Sequence, residues 1–434
     1  MKEIKSMGRN PVLPYDVCVP DGEAHSFGGK LYVYGSYDTQ PKDYCSEEYH
    51  VVSTSDMLTW TVHDKSLDGK DIPWAGKRGE KKYYITDMGL KNPTPMYRKL
   101  LKDMHIPIDV MPKFLRPDNI DFAKYVKAPN MLYAPDCAYK DGKYYLYFCM
   151  SDYSEGVAVS DTPEGPFENP VRLPCGGIDP AVFIDDDGSA YYYWGQFRAS
   201  AVKLNADMMS FDEKTVVKNV VTEESHGFHE GSSMRKRDGI YYYVYPCVYR
   251  NERPTCLAYA TSSSPLGPFT YRGIIIDNAK CDPESWNIHG SIEEFGGQWY
   301  VFYHRSSKNG RANRRLCVEK IEFNLDGTIN EVKMTSQGAG LPFERGEVIE
   351  GWRACEVDGG AYVDGNELVM KDDSLAIIRY VHLSGNEKLT IDSEGDGTVS
   401  VYANDVPLSE VSDGVYEIKL VSKGNLKIKS ILFD

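Results

Sequence analysis

KDGKYYLYFC, residues 140–149, is the stretch on which the fold turns. An Asp-Gly pair, whose glycine can take positive φ, closes a tight turn, and a run of aromatic and β-branched residues follows as a strand. The same grammar recurs as FGGKLYVYGS (27–36), DDGSAYYYWG (186–195), RDGIYYYVYP (237–246) and FGGQWYVFYH (295–304). Its glycines are Gly29, Gly142, Gly188, Gly239 and Gly297, spaced 113, 46, 51 and 58 residues apart. The long first interval predicts an insertion at about 61–128, with helix-like pieces such as PTPMYRKLLKDMH (93–105). Without it each unit is about 45–50 residues, the size of one four-stranded propeller blade.

A second recurring pattern lies in register with the first. YHVVSTSDMLTW (49–60), EGVAVSDTPEGPF (155–167) and CLAYATSSSPLGPF (256–269) each read as a strand, a turn and a closing aromatic. Two patterns in step predict an all-β, five-bladed β-propeller over residues 1–340, in preference to a two-sheet sandwich of hairpins. Residues 341–434 lose the repeat but keep strand alternation, as in GTVSVYAND and VYEIKLVSKGNLKIKSILFD, and read as a small β-sandwich.

Composition narrows the function. Charged residues sum to 49 − 64 = −15, which argues against a nucleic-acid partner that would need a basic face. No run of about 18 apolar residues is present, so no membrane-spanning helix is expected. Tyrosine is abundant, 32 residues against 6 tryptophans, and suits both β-strands and stacking on sugar rings. The ten cysteines form no CxxC pair, and the first residues hold no apolar core of a secretion signal. Reduced thiols in a cytoplasmic protein are the expectation.

Six to nine residues before each repeat glycine stand Asp21, Asp136, Asp179, Glu230 and His289. If the strand entering each turn lines a central channel, these five positions face one axis, where the loops of a propeller converge on ligands. Carboxylates gathered there are costly unless paired or protonated, which marks them as candidates for chemistry. Taken singly, each is an ordinary turn residue or cap; their equivalence sets Asp21, Asp179 and Glu230 apart. Asp136, with the smallest offset, reads as a wall or supporting residue. His289 reads as a metal ligand, a sugar contact or a core histidine. The runs Asp185–Asp187 and Glu293–Glu294 read as solvated turns and strand ends.

On these residues the sequence resembles the family 43 glycoside hydrolases, five-bladed propellers that invert the anomeric centre. The resemblance spans about residues 9–335, through residues 10–36, APDCAYKDGKYYLYF (134–148), GGIDPAVFIDDDGSAYYYWG (176–195), FHEGSSMRKRDGIYYYVY (228–245) and NIHGSIEEFGGQWYVFYH (287–304). It implies Asp21 as general base, Glu230 as general acid and Asp179 as the carboxylate that tunes and orients the acid. It implies His289 in the central channel, often beside a calcium or sodium ion, with no cofactor needed for the chemistry. Arg314 in ANRRLCVEKIEF is the implied arginine near the base, with Arg315 as the alternative. Expected sugar contacts are Arg314, Tyr133, Trp194 and Phe27. Gly22 after the base, and Tyr133-Ala134-Pro135 where the family commonly has Trp-Ala-Pro, depart from the family pattern.

The implied activity is exo-release of arabinose or xylose from hemicellulose-derived oligosaccharides. Endo-xylanase, arabinanase and exo-galactanase activities are alternatives within the family. A non-catalytic sugar-binding propeller is the alternative of another class. A retaining, invertase-type propeller would need Asn-Asp-Pro and Arg-Asp-Pro motifs that the sequence lacks.

Overall fold

The structure, a computed structural model, describes residues 1–38, 46–75, 131–251 and 253–434. Five antiparallel sheets take up its strands as far as Ile321. Their innermost strands are Glu23–Phe27, Asp136–Lys140, Ala181–Ile184, Ser233–Arg237 and Ser291–Phe295. Each lies against the next and the fifth against the first, so the five sheets are blades around one channel. The five-bladed propeller expected from the repeat is the observed fold.

The repeat glycines do the work expected of them. In four blades the turn has two residues, both at positive φ, as at Asp141 (51°) and Gly142 (83°) between paired Lys140 and Lys143. That geometry matches the right-handed twist of the flanking strands. Blade three differs: Ile184 pairs with Ala190, and Asp185–Ser189 form a longer loop.

The aromatic runs are continuous rather than alternating because each blade is covered on both faces. Tyr241, Tyr243 and Tyr245 pack toward blade three, with Phe183 and Tyr193. Tyr242 and Val244, between them in sequence, pack toward blade five, with Val301 and Tyr303. A strand buried on both faces shows no polar side to alternate with. Buried hydroxyls find carbonyls in neighbouring loops: Tyr193 donates to Pro265 O (2.8 Å) and Tyr245 to His226 O (2.8 Å). Each ring removes roughly 150–250 Å² from water, a gross gain of about 4–6 kcal/mol before entropy.

The ring is clasped by the N-terminal segment. Val12 N donates to Leu316 O (3.0 Å) along the outer strand of blade five, Arg315–Ile321. Buried Asn10 exchanges side-chain hydrogen bonds with both backbone groups of Val318, each at 2.9 Å. The preceding strand, Lys2–Lys5, adds to the outer edge of blade one.

Strands from Val348 onward build two further five-stranded sheets around Leu368, Ile378, Leu420, Ile428 and Ile431. They are tied to the propeller by Arg9–Glu347 (2.7 Å) and by Val357 N donating to Lys280 O (2.7 Å). Cys355 and Ile377 enter the core between blades four and five. Residues 61–68 continue the blade-one strand Thr59–Asp68, so the interruption of the repeat begins after that strand. Residues 76–128 of the expected insertion, with its helix-like pieces, lie outside the described residues. Among the described residues no helix is long and apolar enough to cross a membrane.

Candidate active site

The loops that enter the innermost strands converge on a cavity of about 200 Å³. Asp21, Asp179, Glu230, His289, Arg314 and Tyr133 line it, together with Tyr153, Gln196, His229, Arg253, Trp286 and Asn287. Asp21 and Asp179 sit at positive φ, 68° and 52°, immediately before a strand begins. This left-handed turn lifts each carboxylate out of the sheet and into the channel mouth, a conformation that short polar residues adopt most readily.

Asp21 is a buried anion with a dedicated partner. Arg314 Nη1 donates to Asp21 Oδ1 at 2.8 Å. The guanidinium is aimed by Asp38, which accepts from Arg314 Nε and Nη2 at 3.0 Å each. Burial pushes Asp21 up, but Arg314 and then His289 and His304 outweigh it and hold the carboxyl at about 2. It is therefore ionised at neutral pH, as a general base must be. Beneath it, Asp21 N–H donates to Nδ1 of fully buried His304 (3.4 Å), whose Nε2 faces Asn287. Burial, then Arg314, lowers His304 to about 3, so this imidazole stays neutral and supports the Asp21 backbone.

On the other side of the cavity, Gln196 Nε2 donates to Glu230 Oε2 at 2.7 Å, and His229 Nε2 lies 3.7 Å from the same oxygen. Asp179 is pushed well above the usual carboxylate range by burial first, then by Glu230 and Asp21. Like charge on Glu230 and Asp21 disfavours the ionised form of Asp179. His289 Nδ1 stands between the two sides, 3.8 Å from Asp21 and 3.7 Å from Asp179. Gly231 makes room for it, because a Cβ there would lie 2.8 Å from His289 Nε2. One cavity thus holds an ionised carboxylate, Asp21, and a carboxyl pushed toward its neutral form, Asp179, with Glu230 held by Gln196 beside it.

The sequence profile described as "Glycosyl hydrolases family 43" matches residues 77–329. The chain belongs to glycosyl hydrolase family 43. It is 31% identical to a xylosidase/arabinosidase of Thermoclostridium stercorarium, over 76% of this chain and 67% of that protein. Among solved structures it is similar to a family 43 β-xylosidase/α-arabinofuranosidase from a compost metagenome, in complex with xylotriose and described as a calcium-free form. That likeness has a TM-score of 0.55 and 30% identity, and covers 74% of this chain and 97% of that one. An arabinoxylan arabinofuranohydrolase structure from Bacillus subtilis, 22% identical with a TM-score of 0.55, covers 99% of this chain and 98% of that one. The fold of the C-terminal sheets recurs with that of the propeller.

This family 43 enzyme brings together most of the residues expected from its sequence: Asp21, Asp179, Glu230, His289, Arg314 and Tyr133. Three expectations are corrected. Trp194 is buried in the core between blades two and three, stacked on Tyr192 and Phe211. Phe27 lies at the turn end of its strand, packed with Tyr139 and Tyr144, opposite the end at which Asp21 enters. Glu293 is no solvated strand end, because it accepts from Arg235 Nε at 2.5 Å. Among the described residues, Glu23, His25 and Asp136 have ligand atoms within 4.8 Å of one another. Asp136 belongs to this channel cluster, as a supporting residue. Arg314 rather than Arg315 reaches the base; Arg315 Nη2 donates instead to Gly365 O (2.9 Å) in the C-terminal sheets. Asp38, Tyr153, Gln196, Trp286 and His304 escaped the sequence reading because none occupies the position that the repeat marks.

Three buried carboxyls set the enzyme's response to pH. Glu23, Asp136 and Glu319 are each raised to about 7, by burial above all. Between their ordinary values, 4.5 or 3.8, and about 7 these three carboxyls bind more protons folded than unfolded, while His25 and His304, lowered to about 4 and about 3, act in the opposite sense below 6.5. Above about 6.5 the opposing histidine contribution is complete, and stability falls as pH rises through the carboxyls' values of about 7. Asp21 acts in the opposite sense, but only below pH about 4. Thermal melts are expected to give a higher Tm at pH 6.5 than at pH 8, with a shallower slope in Glu319→Gln. A Tm that climbs from pH 6.5 to 8 contradicts this.

Proposed function

We propose that the chain is an inverting, exo-acting glycoside hydrolase that releases arabinose or xylose from hemicellulose-derived oligosaccharides. The observation that carries this reading is that Asp21, Asp179 and Glu230 line one cavity, with Asp21 held as an anion by Arg314 and Asp179 pushed toward its neutral form. Asp21 takes a proton from water as that water attacks the anomeric carbon, while Arg314 stabilises the carboxylate until the proton arrives. Glu230 gives its proton to the leaving oxygen. Because Gln196 occupies Oε2, the transferable proton sits on Oε1. Asp179, facing Glu230 in the same cavity, is the carboxyl that tunes and orients the acid. Inversion asks for roughly 6.5–9.5 Å between acid and base, room for one water. The carboxyls and Arg314 supply the charges and protons of this step, so the reaction as proposed calls on no cofactor.

Several observations support the substrate class. Relatives from Thermoclostridium stercorarium and elsewhere carry the name xylosidase/arabinosidase, and one solved relative holds xylotriose. A cavity of about 200 Å³ is smaller than the ~300–1,000 Å³ of sites for drug-sized ligands, which favours one pentose ring and exo action. Nine described cysteines are free and buried, in keeping with a cytoplasmic enzyme acting on imported fragments. Release of 4-nitrophenol from the α-L-arabinofuranoside and β-D-xyloside, with the β-D-galactoside inert, is the expected result. Proton NMR should show the first-formed sugar as the inverted anomer. A retained anomer removes Asp21 from the role of base.

A further inference from the structure

The innermost strands carry a second polar cluster, beyond the catalytic loops along the channel. Glu23, His25 and Asp136 place one ligand atom each within 4.8 Å of the others, a spacing that a hard cation would accept. All three lie on strands whose opposite faces are packed, so their charges need an answer inside the protein.

That answer is already present in the chain. Arg235 is buried and directs its fork into the cluster. Its Nη2 donates to Glu23 Oε1 at 2.8 Å and also to Ala24 O, its Nε to Glu293 Oε2 at 2.5 Å, and its Nη1 to Met234 O at 2.8 Å. Ser233 Oγ gives Glu23 Oε1 a further bond at 2.9 Å. Both oxygens of Asp136 are engaged, Oδ1 by Cys137 N–H (2.6 Å) and His25 Nε2 (2.6 Å), Oδ2 by Val182 N–H (2.7 Å). Of the triad's carboxylate oxygens only Glu23 Oε2 is without a hydrogen bond among the described residues. The donors point inward and the acceptors are taken, so the triad does not fit a bound metal while the guanidinium is in place. Two cations on one buried carboxylate would repel.

We infer that Arg235 is the built-in cation of the channel, filling with a side chain the role that Glu23, His25 and Asp136 would otherwise offer to a divalent metal ion. The inference stands apart from the choice of sugar and concerns the stability of the ring. Its test uses the full chain, dialysed against EDTA, with calcium chloride as the probe. Wild type and Glu23→Gln are expected to respond alike to EDTA and calcium, with no binding heat that depends on Glu23. Arg235→Met, which keeps an unbranched stem but loses the guanidinium and its charge, should melt about 5 °C lower or more, and calcium should restore part of that loss. Adding Glu23→Gln to Arg235→Met should abolish the restoration.

Three results overturn the inference. One is a wild-type Tm that calcium raises and Glu23→Gln makes unresponsive. Another is an Arg235→Met protein that melts like wild type. The third is a destabilised Arg235→Met that calcium does not rescue. If Arg235→Met does not fold, Arg235→Lys keeps the charge and decides the matter: it should fold and ignore calcium, and a calcium-responsive Arg235→Lys overturns the assignment.

Discussion

Asp21→Asn is expected to lower kcat by about 10²–10⁴-fold, or roughly 3–5 kcal/mol of transition-state stabilisation, with little change in KM. The amide keeps the size of the side chain and can still accept from Arg314, but it cannot take a proton from water. The fold should hold for a specific reason. Arg314 remains ion-paired to Asp38 through two bonds of 3.0 Å, so the substitution strands no buried cation. His304 continues to accept from the backbone of residue 21 and preserves its left-handed turn. Steady-state kinetics on an unactivated oligosaccharide, with a thermal melt alongside, makes the check. Activity within tenfold of wild type would remove Asp21 from the role of base.

Glu230→Gln should show a different signature, because the work of an acid depends on the leaving group. A xylose or arabinose leaving oxygen is a poor one, and loss of the proton donor should cost about 10²–10⁴-fold. A 2,4-dinitrophenolate departs with little protonation, so the same variant should keep most of its activity on that glycoside. Equal losses on both substrates would show that Glu230 acts in some way other than proton donation. The Gln196 contact survives the change, because its amide can donate to the new side-chain carbonyl.

Much of this site was legible before any coordinates, and the reason is local. A turn that needs positive φ at a fixed place writes Gly-Gly or Asp-Gly into the chain. A strand covered on both faces writes an unbroken aromatic run. Both marks repeat, so five blades and five equivalent channel positions could be located by counting. Asp21, Asp179 and Glu230 fall at those positions, and their convergence follows from the ring.

What counting could not reach depends on distance across the ring. Arg314 and Arg315 are adjacent and chemically alike, yet one clamps the base and the other holds Gly365 of the C-terminal sheets. Which of them faces inward depends on where the strand Arg315–Ile321 begins, a detail set by packing against its neighbours. Trp194 and Phe27 belong to the same aromatic pattern as true channel residues, but one faces an inter-blade core and the other the far end of a strand. Asp38 and His304 lie outside the marked positions and act only through Arg314 and the Asp21 backbone. Arg235 and Glu293 look like charged residues on exposed strand ends until the channel closes over them. The sequence by itself determined the blades, the turns and the three carboxylates, because backbone conformation and two-sided burial are local demands with local signatures. Only the tertiary structure decided which cation answers which carboxylate and which of them keeps its proton, because burial and Coulombic fields are sums over residues that meet only when the ring is closed.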